Sequence, residues 1–228
     1  MKSLLTPDIN WQTVEWNLDL TQIHIFKINV PEKFRDISAS YKSVLSDLEI
    51  SKAEKYVQLN DKERFITSKY FLRLILSKFI NIMPVDVKFD FQNNKKPQLN
   101  GIEFNVSHSG SIILIAVSNK AIGIDVEFTD KFFNFESILE VCFHADEKEN
   151  LVRTHKNTFY TIWTRKEALL KATGEGLVDN LETINTLTNS IKRSDKFYEL
   201  KSFFVQRDYI ASIAYQSTEE NHFKFWQF

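Results

Sequence analysis

An α+β fold class is predicted for this chain of 228 residues by three features of its sequence. Residues 23–30 alternate between apolar and polar side chains, a pattern typical of a half-buried strand. Short apolar runs crowd residues 102–128, and helical periodicity covers most of residues 135–172. Strand patterns return in the last third of the chain. Helices and strands together in one chain of this length indicate a mixed fold.

The individual elements are predicted in chain order. Pro31 ends the first strand, because proline has no backbone N–H to donate. A helical pattern covers residues 46–80, and residues 93–101 are predicted to form a loop, since they are rich in Asn and Lys, contain Pro97 and end at Gly101. The other predicted strands are residues 102–106, 112–117, 122–128, 197–206, 209–215 and 223–228. The other predicted helices are residues 135–154 and 158–172.

The composition excludes several classes of protein. A net charge of −1 argues against a protein that coats nucleic acid or an anionic membrane. The single cysteine, Cys142, excludes an intramolecular disulfide and is interpreted as a buried thiol in an apolar run. The N-terminus shows no apolar signal region, and the apolar run at residues 112–117 is too short to span a bilayer. We therefore expect a soluble, cytoplasmic protein that binds neither nucleic acid nor membrane.

Two acidic residues stand close together in the strand predicted at residues 122–128. Asp125 and Glu127 are two residues apart, so their carboxylates project from the same face. Such groups repel each other unless solvent or a cation separates them. Mg²⁺ suits the pair, because it binds one or two carboxylates and also takes water and phosphate oxygens. The alternative, a solvated sheet face with two ordinary acids, stays open for this pair alone.

The helix predicted at residues 158–172 carries further charged groups. Glu167 lies at the edge of its apolar face, and Lys171 lies one turn further along that edge. A surface ion pair of the i,i+4 type is the alternative interpretation. Lys166 lies within the apolar stripe, where a lysine needs a partner or a path to solvent for its charge. Gly174 follows the helix at the position of a C-cap.

The segment Ser-His-Ser-Gly at residues 107–110 follows an apolar strand and is predicted to open a turn. Neighbouring residues of an extended chain point to opposite faces, which disfavours a nucleophilic Ser–His pair. Hydroxyls, an imidazole and accessible amides suit an anion, so a phosphate contact by Ser107 and His108 is preferred. A structural histidine is the alternative.

Together, the three segments resemble a known family, the 4′-phosphopantetheinyl transferases of the surfactin-synthetase-activating type. The shared features are the Ser-His-Ser-Gly turn, the Gly-Ile-Asp-Val-Glu strand at residues 123–127 and the Trp-x-x-Lys-Glu-x-x-x-Lys helix at residues 163–171. The resemblance implies a pseudo-twofold pair of similar α/β halves with the active site in the cleft between them. The predicted halves are residues 1–118 and 119–228.

The resemblance also implies a reaction. The phosphopantetheine arm of coenzyme A passes to a serine of an acyl or peptidyl carrier protein, and 3′,5′-ADP is released. Residues that match the family's magnesium ligands are Asp125, Glu127 and Glu167. The implied catalytic residues are Glu167, which takes the serine proton, Lys171 and His108. Residues that match coenzyme A contacts are Lys96, Ser107, His108, Lys166 and Lys171, with Lys52, Lys55 and Arg64 as candidates for the 3′-phosphate and Lys62 or Lys69 as substitutes.

Two functions of other classes are alternatives. A non-catalytic module that binds coenzyme A or a carrier would show a damaged set of acids, and the set is intact here. A metal-dependent phosphohydrolase would use the same acids on another phosphoester. The phenylalanine-rich residues 132–143 are a candidate docking surface for the carrier, or else part of the core. Because both halves lie in one chain, a monomer is expected.

Overall fold

The computed structural model describes residues 4–6, 9–90, 97–152, 156–176, 181–217 and 221–228. Its helices are α1 Val30–Ile37, α2 Asp47–Ala53, α3 Leu59–Ile80, α4 Glu136–Cys142, α5 Ala145–Val152 and α6 Lys156–Thr173. Its strands are β1 Leu5–Thr6, β2 Gln12–Thr13, β3 Ile23–Asn29, β4 Glu103–Ser109, β5 Ile112–Ser118, β6 Ile122–Phe128, β7 Ser190–Arg193, β8 Lys196–Gln206, β9 Tyr209–Gln216 and β10 Phe223–Gln227. The predicted α+β fold class is confirmed.

Two sheets form the centre of the described part of the chain. The first sheet has the strand order β2-β10-β3-β5-β4. The second has the order β1-β8-β9-β6, with β7 paired to β8. β4 and β6 are therefore edge strands of different sheets, and they lie side by side. The candidate site is built along these two edges.

Apolar side chains fill the space on both sides of each sheet. Helices α1 to α3 pack on one face of the first sheet, and α6 packs on one face of the second. The two remaining faces pack against each other, with Ile25 and Leu114 in the same cluster as Ile124 and Ile213. Full burial of such side chains stabilises a fold by about 1.5–3 kcal/mol each. The layer between the sheets therefore holds the two sheets together.

The ends of the chain cross between the sheets. β10 runs parallel to β3 in the first sheet, although it follows the strands of the second sheet in sequence. β1 runs parallel to β8 in the second sheet, although it precedes every strand of the first. The division into residues 1–118 and 119–228 stays a prediction. β1 and β10 do not follow it, because each pairs in a sheet whose other strands come from the opposite segment.

The long helix predicted at residues 46–80 is two helices, α2 and α3. Ser46 caps α2 and forms a reciprocal capping box with Glu49. Glu49 also accepts a hydrogen bond at 2.6 Å from Arg73 Nε on α3. This contact requires α2 to fold back against α3, so the break follows from tertiary structure that periodicity does not reveal.

The helix predicted at residues 135–154 is also divided, into α4 and α5. Phe143, between them, has an extended backbone, and its buried ring stacks on Phe159 at 5.3 Å between centroids. Glu147 Oε2 then accepts the His144 N–H at 2.9 Å and caps the start of α5. Burial of one aromatic ring therefore interrupts the helical pattern. Residues 153 and 154 of the predicted helix lie outside the described part of the chain.

Two smaller expectations are also corrected. Pro31 lies in the first turn of α1, where its missing N–H has no partner to lose, so the first strand ends because a helix begins. β4 extends through Ser109, because residues 107–109 pair in register with β5, and the turn starts only at Gly110. The predicted set lacks β1, β2 and β7, which are too short to show alternation.

Candidate active site

The alternation of side chains along β6 sets up the site. Its apolar residues face the core between the sheets, so Asp125 and Glu127 face α6. Gly123 shares that face, and a Cβ there would overlap the α6 backbone at Ala168 and Ala172. Glycine therefore lets α6 pass close to β6. This approach brings side chains of the helix to the two carboxylates.

Lys171 of α6 forms an ion pair with Asp125. Its Nζ lies 2.6 Å from Asp125 Oδ1 and donates to Ser107 Oγ and to the Ile124 carbonyl oxygen, both at 3.3 Å. Ser107 Oγ donates to the same Oδ1 at 2.8 Å. Asp125 is only 5 % exposed, so water screens the pair weakly. Lys171 is thus directed at β6 rather than along the helix surface.

Glu127 has neighbours on both β4 and α6. Ser109 Oγ on β4 donates to Glu127 Oε2 at 2.8 Å, and the Trp163 side chain on α6 lies close enough to the same carboxyl group to lower its pKa slightly. Glu167 lies one helical turn from both Trp163 and Lys171, within the electrostatic field of Asp125. Asp125 and Lys171 therefore act electrostatically on both Glu127 and Glu167 in the region between β6 and α6.

Burial raises the pKa of all three carboxyl groups. For Asp125, burial is opposed chiefly by the charge and hydrogen bond of Lys171. For Glu127, the hydrogen bond from Ser109 opposes burial. For Glu167, burial and the negative charge of Asp125 both raise the pKa, and Lys171 lowers it. A glutamate with a raised pKa is a more effective acceptor for a hydroxyl proton.

The donor set fits a hard divalent cation. Asp125 Oδ2 is buried and has no hydrogen-bond partner in the structure, so one acidic oxygen is available to an ion. Within the described ranges, no three His, Cys, Asp or Glu side chains lie close enough to hold a metal on their own. Mg²⁺ does not need such a cage, because it commonly takes one or two carboxylates with water and substrate phosphate oxygens.

Polar side chains of β4 bond to the backbone of β6 along their contact. Three N–H groups of β6 find acceptors there: Ile124 bonds to Asn105 Oδ1 at 2.9 Å, Val126 to Ser107 Oγ at 3.3 Å and Phe128 to Ser109 Oγ at 3.0 Å. The two sheets are therefore joined by side chains of one edge and the main chain of the other. The alternation of polar residues at positions 105, 107 and 109 is a sequence signal of this contact. The predictions from sequence did not include it.

His108 points to the other face of β4 from Ser107, as neighbours in a strand must. Its ring reaches solvent, but partial burial is the first cause of its lowered pKa, and the nearby Arg64 guanidinium is the second. Arg64 itself pairs with Asp61 on α3. His108 and Arg64 therefore lie near each other beside β4 of the first sheet, and the Arg64 guanidinium gives this region a positive charge.

The other predicted contacts to the 3′-phosphate lie on α2, just after α2 and on α3. Lys52 Nζ and Lys69 Nζ both lie over the Phe65 ring, at 5.4 and 5.8 Å from its centroid. Lys55 is exposed just after α2. The structure thus brings Lys52 together with Lys69. Lys96 lies outside the described residues.

Lys166 is a predicted coenzyme A contact whose side chain lies inside the protein. Its side chain is fully buried, and Nζ pairs with Glu147 Oε2 at 2.9 Å. The same ammonium donates to the carbonyl oxygens of Leu181, at 3.0 Å, and Ile184. Lys166 therefore ties α6 to α5 and to the turn at residues 181–184. Its place in the apolar stripe is explained by this internal partner rather than by a ligand.

An apolar pocket of about 420 Å³ opens beside Glu127. Aromatic side chains form much of its wall: Phe128, Phe133, Phe159, Tyr160 and Trp163. Ser109 and Gly110 belong to the same lining. The pocket therefore has an acidic, hydroxyl-bearing end and an aromatic interior.

Residues 132–143 belong partly to the surface and partly to the core. Phe132 and Val141 are 94 % and 67 % exposed, whereas Phe143 is buried. Cys142, which was predicted to be buried, is only half-buried, although burial still raises the pKa of its thiol. A docking surface in this region can therefore include Phe132 and Val141 but not Phe143.

Two family models match the chain. The model of the 4′-phosphopantetheinyl transferase superfamily matches residues 121–214. The model of the N-terminal part of 4′-phosphopantetheinyl transferase matches residues 35–120. The first match contains β6 and α6, and the second contains β4.

Several curated proteins are similar to the chain. The 4′-phosphopantetheinyl transferase HetI of Nostoc is 32 % identical over 188 residues, or 75 % of this chain and 77 % of that protein. A Synechocystis protein, provisionally named as a 4′-phosphopantetheinyl transferase, is 32 % identical over 160 residues, or 66 % and 65 %. The 4′-phosphopantetheinyl transferase Sfp of Bacillus subtilis is 29 % identical over 144 residues, or 60 % and 63 %. The chain thus spans 63 to 77 % of the length of these relatives.

The fold and the site define a protein with two sheets and a cluster of carboxylates and lysine between a strand and a helix. The chain belongs to the 4′-phosphopantetheinyl transferase superfamily. The family predicted from the three motifs is confirmed, and the name that these relatives share favours neither alternative function. No helix of the described part is long and apolar enough to cross a membrane.

Proposed function

We propose that this chain transfers the 4′-phosphopantetheine arm of coenzyme A to a serine of an apo acyl or peptidyl carrier protein and releases 3′,5′-ADP. The observation that carries the proposal is the convergence of Asp125, Glu127, Glu167 and Lys171 between β6 and α6. In this reaction the serine oxygen bonds to the phosphorus that bears the pantetheine arm. The bond from that phosphorus to the bridging pyrophosphate oxygen breaks, and its electrons leave with 3′,5′-ADP.

Glu167 is the proposed acceptor of the serine proton. Its raised pKa increases its affinity for that proton, directly or through one water. Lys171 lies one turn away and offsets negative charge on the transferred phosphoryl group. His108 is proposed to contact a phosphate of coenzyme A. Because its lowered pKa favours a neutral ring, that contact would use an imidazole N–H.

Mg²⁺ is the proposed metal, and Asp125, Glu127 and Glu167 are the residues that would hold it. The unpartnered Oδ2 of Asp125 supports this assignment. When bound, the ion would neutralise charge on the pyrophosphate and so stabilise the leaving group. Ser107 and Lys171 keep Asp125 Oδ1 occupied, which leaves the other oxygen of the same carboxylate for the ion.

The two parts of coenzyme A on either side of its pyrophosphate are proposed to extend in two directions from Asp125, Glu127 and Glu167. The adenosine 3′-phosphate would lie near basic side chains on α2, just after α2 and on α3: Lys52, Lys55, Arg64 and Lys69. The pantetheine arm would enter the aromatic pocket, because the end of that pocket is formed by Glu127 and Ser109. Lys96 stays a predicted contact.

The carrier protein is proposed to dock over the exposed part of residues 132–143. Phe132→Asp should raise the KM for the carrier without changing the KM for coenzyme A, because this side chain is 94 % exposed and makes no part of the core. Phe143→Ala is the contrast, since truncation of a buried phenylalanine costs about 3–5 kcal/mol of stability. An unchanged carrier KM in folded Phe132→Asp protein would reject this surface.

We also propose that the protein acts as a monomer in the cytoplasm. The layer of side chains between the two sheets lies within one chain, which supports a monomer. Light scattering of the purified protein over a range of concentrations tests the oligomeric state. A stable dimer or trimer mass would contradict the proposal.

Intact mass of an apo carrier protein tests the proposed reaction. The carrier is incubated with this chain, coenzyme A and Mg²⁺, and Glu167→Gln protein is assayed in parallel. We expect a gain of one phosphopantetheine arm that EDTA abolishes and that the variant greatly reduces. No gain with fatty-acid, polyketide or peptide carriers, for folded protein that binds coenzyme A, would favour the binding module. Release of 3′,5′-ADP in the absence of any carrier would favour the phosphohydrolase.

A further inference from the structure

We propose that Ser109 is a positioning residue for Glu127, and through it for the divalent ion; the inference rests on the proposed function. The motifs assign phosphate contacts to Ser107 and His108 and leave Ser109 without a role. In the structure Ser109 is the last residue of β4 and lies opposite the carboxyl end of β6. It therefore connects the first sheet to an acidic residue of the second.

The Ser109 hydroxyl makes two bonds of opposite sense. Its oxygen accepts the Phe128 N–H at 3.0 Å, and it donates its proton to Glu127 Oε2 at 2.8 Å. A serine hydroxyl has one proton and two acceptor positions. The backbone N–H fills one acceptor position and leaves the proton for the carboxylate. The orientation of Oε2 is therefore fixed by the main chain of β6 itself.

The turn that carries Ser109 is fixed from the opposite side. Tyr209 Oη on β9 accepts the Ser111 N–H at 3.1 Å and lies 3.2 Å from Ser111 Oγ. A Cβ at Gly110 would overlap this hydroxyl, and Gly110 also has a positive φ of 51°. Both features favour glycine at this position. The position of Ser109 is thus set by β9 as well as by β4.

The two acidic residues of β6 differ in how they are held. Asp125 keeps its ion pair with Lys171 if Ser107 is removed. Glu127 accepts a hydrogen bond from Ser109, and the Trp163 side chain lies near the same carboxyl group. Loss of the Ser109 hydroxyl therefore frees Oε2 to turn away from the acids. Removal of such outer partners typically weakens metal binding about 10–100-fold.

Calorimetric titration of Mg²⁺ into the complex with coenzyme A, without a carrier, tests the inference independently of turnover. Ser109→Ala should raise the Mg²⁺ dissociation constant about tenfold or more. Ser109→Thr keeps the hydroxyl and should restore most of the affinity. Ser118→Ala is the matched control, because its hydroxyl also accepts a backbone N–H, from Lys120 at 3.2 Å, away from the acids. Its Mg²⁺ affinity should equal that of the wild type.

Equal Mg²⁺ affinity in Ser109→Ala and wild-type protein would overturn the inference, as would a Ser109→Thr variant as weak as the alanine. Thermal unfolding identifies the folded variants, and Ser109→Cys replaces the alanine if that variant does not fold, because a thiol keeps the volume but donates weakly. Wild-type protein that transfers the arm but binds no Mg²⁺ in the coenzyme A complex would reject this inference alone. Wild-type protein that modifies no carrier would reject the proposed function.

Discussion

Lys171 Nζ donates to Asp125 Oδ1 at 2.6 Å, while the other oxygen of that carboxylate is buried without a hydrogen-bond partner. The two oxygens of one side chain thus have different environments. Burial raises the pKa of Asp125 and Lys171 lowers it, so the lysine is what favours the ionised form. The ion pair thus offsets part of the cost of burying this carboxylate, and one of its two oxygens has no hydrogen-bond partner in the structure.

Lys171→Met should reduce the transfer rate about 10²–10³-fold, the effect of removing one group that stabilises developing charge. It should also lower the free energy of unfolding by about 2 kcal/mol at pH 8, because a buried carboxylate loses its charged donor. The pKa of Asp125 then rises further, so the destabilisation should shrink as the pH falls and the carboxylate is protonated.

Urea unfolding at pH 5 and pH 8 measures this dependence. Lys148→Met is the control, since Lys148 makes an exposed ion pair with Glu140 that contributes little. A stability difference for Lys171→Met that does not grow with pH would contradict the role given to the lysine.

Gly123→Ala should destabilise the protein by about 3 kcal/mol and remove activity from the fraction that folds. The added Cβ meets backbone atoms of α6, so the helix that carries Glu167 and Lys171 must move. Gly101→Ala is the control, because Gly101 has a positive φ of 77° but open space around it. It should cost only about 1–2 kcal/mol and leave the transfer rate unchanged. Chemical unfolding and the carrier mass assay measure both effects, and full activity of Gly123→Ala would be contrary evidence.

Lys166→Met should destabilise the protein by about 3–5 kcal/mol without weakening coenzyme A binding by the folded fraction. Removal of the lysine leaves Glu147 as an unpaired charge in a fully buried place. The double variant Lys166→Met, Glu147→Leu should recover part of the loss, because both charges are then gone. Urea unfolding of the three proteins and calorimetry with coenzyme A provide the data. Weakened coenzyme A binding by stable Lys166→Met protein would restore the predicted contact.

Protonation of His24 should make the protein less stable in mild acid. Its Nδ1 accepts the Trp226 indole N–H at 3.0 Å and its Nε2 lies 2.7 Å from the Asp19 carbonyl oxygen, so the buried ring is neutral with its proton on Nε2. Burial lowers its pKa below the value of 6.5 that it has when unfolded. The unfolded chain therefore binds the extra proton first, and stability is lost as the pH falls below about 6.5, by at most about 1.4 kcal/mol per pH unit.

Unfolding measured between pH 5 and pH 8 tests this expectation for wild-type and His24→Gln protein, and the slope should decrease in the variant. His108→Gln is a parallel variant, and it should also decrease the slope, because burial lowers the pKa of His108 as well. An unchanged slope in His24→Gln would show that protonation at this ring does not limit acid stability.

Much of the fold follows from local sequence patterns. β6 was predicted with its observed bounds, and the pattern for α6 differs from the helix by a few residues, because both are long and strongly periodic. The two broken helices were not predicted. Their breaks come from the Glu49–Arg73 contact and from burial of Phe143, which join residues that are distant in sequence or in different helices. Periodicity does not detect such contacts.

The candidate site divides in the same way. The common face of Asp125 and Glu127 followed from strand alternation, and the spacing of Glu167 and Lys171 followed from the helical repeat. The bond between Ser109 and Glu127 was not foreseen, since it joins edge strands of two different sheets. The loop that contains Lys96 lies outside the described residues, so its role stays a prediction.

By itself, the sequence determined the class of fold, the family and the face on which each acidic residue lies, because these depend on local geometry and on the order of motifs. Only the tertiary structure decided the partners of two lysines on α6. Lys171 meets Asp125 because Gly123 lets helix and strand approach. Lys166 lies on a different side of α6 from Lys171 and forms an ion pair with Glu147 in the core. Which charge a lysine finds depends on how the elements pack, and that is a property of the folded protein.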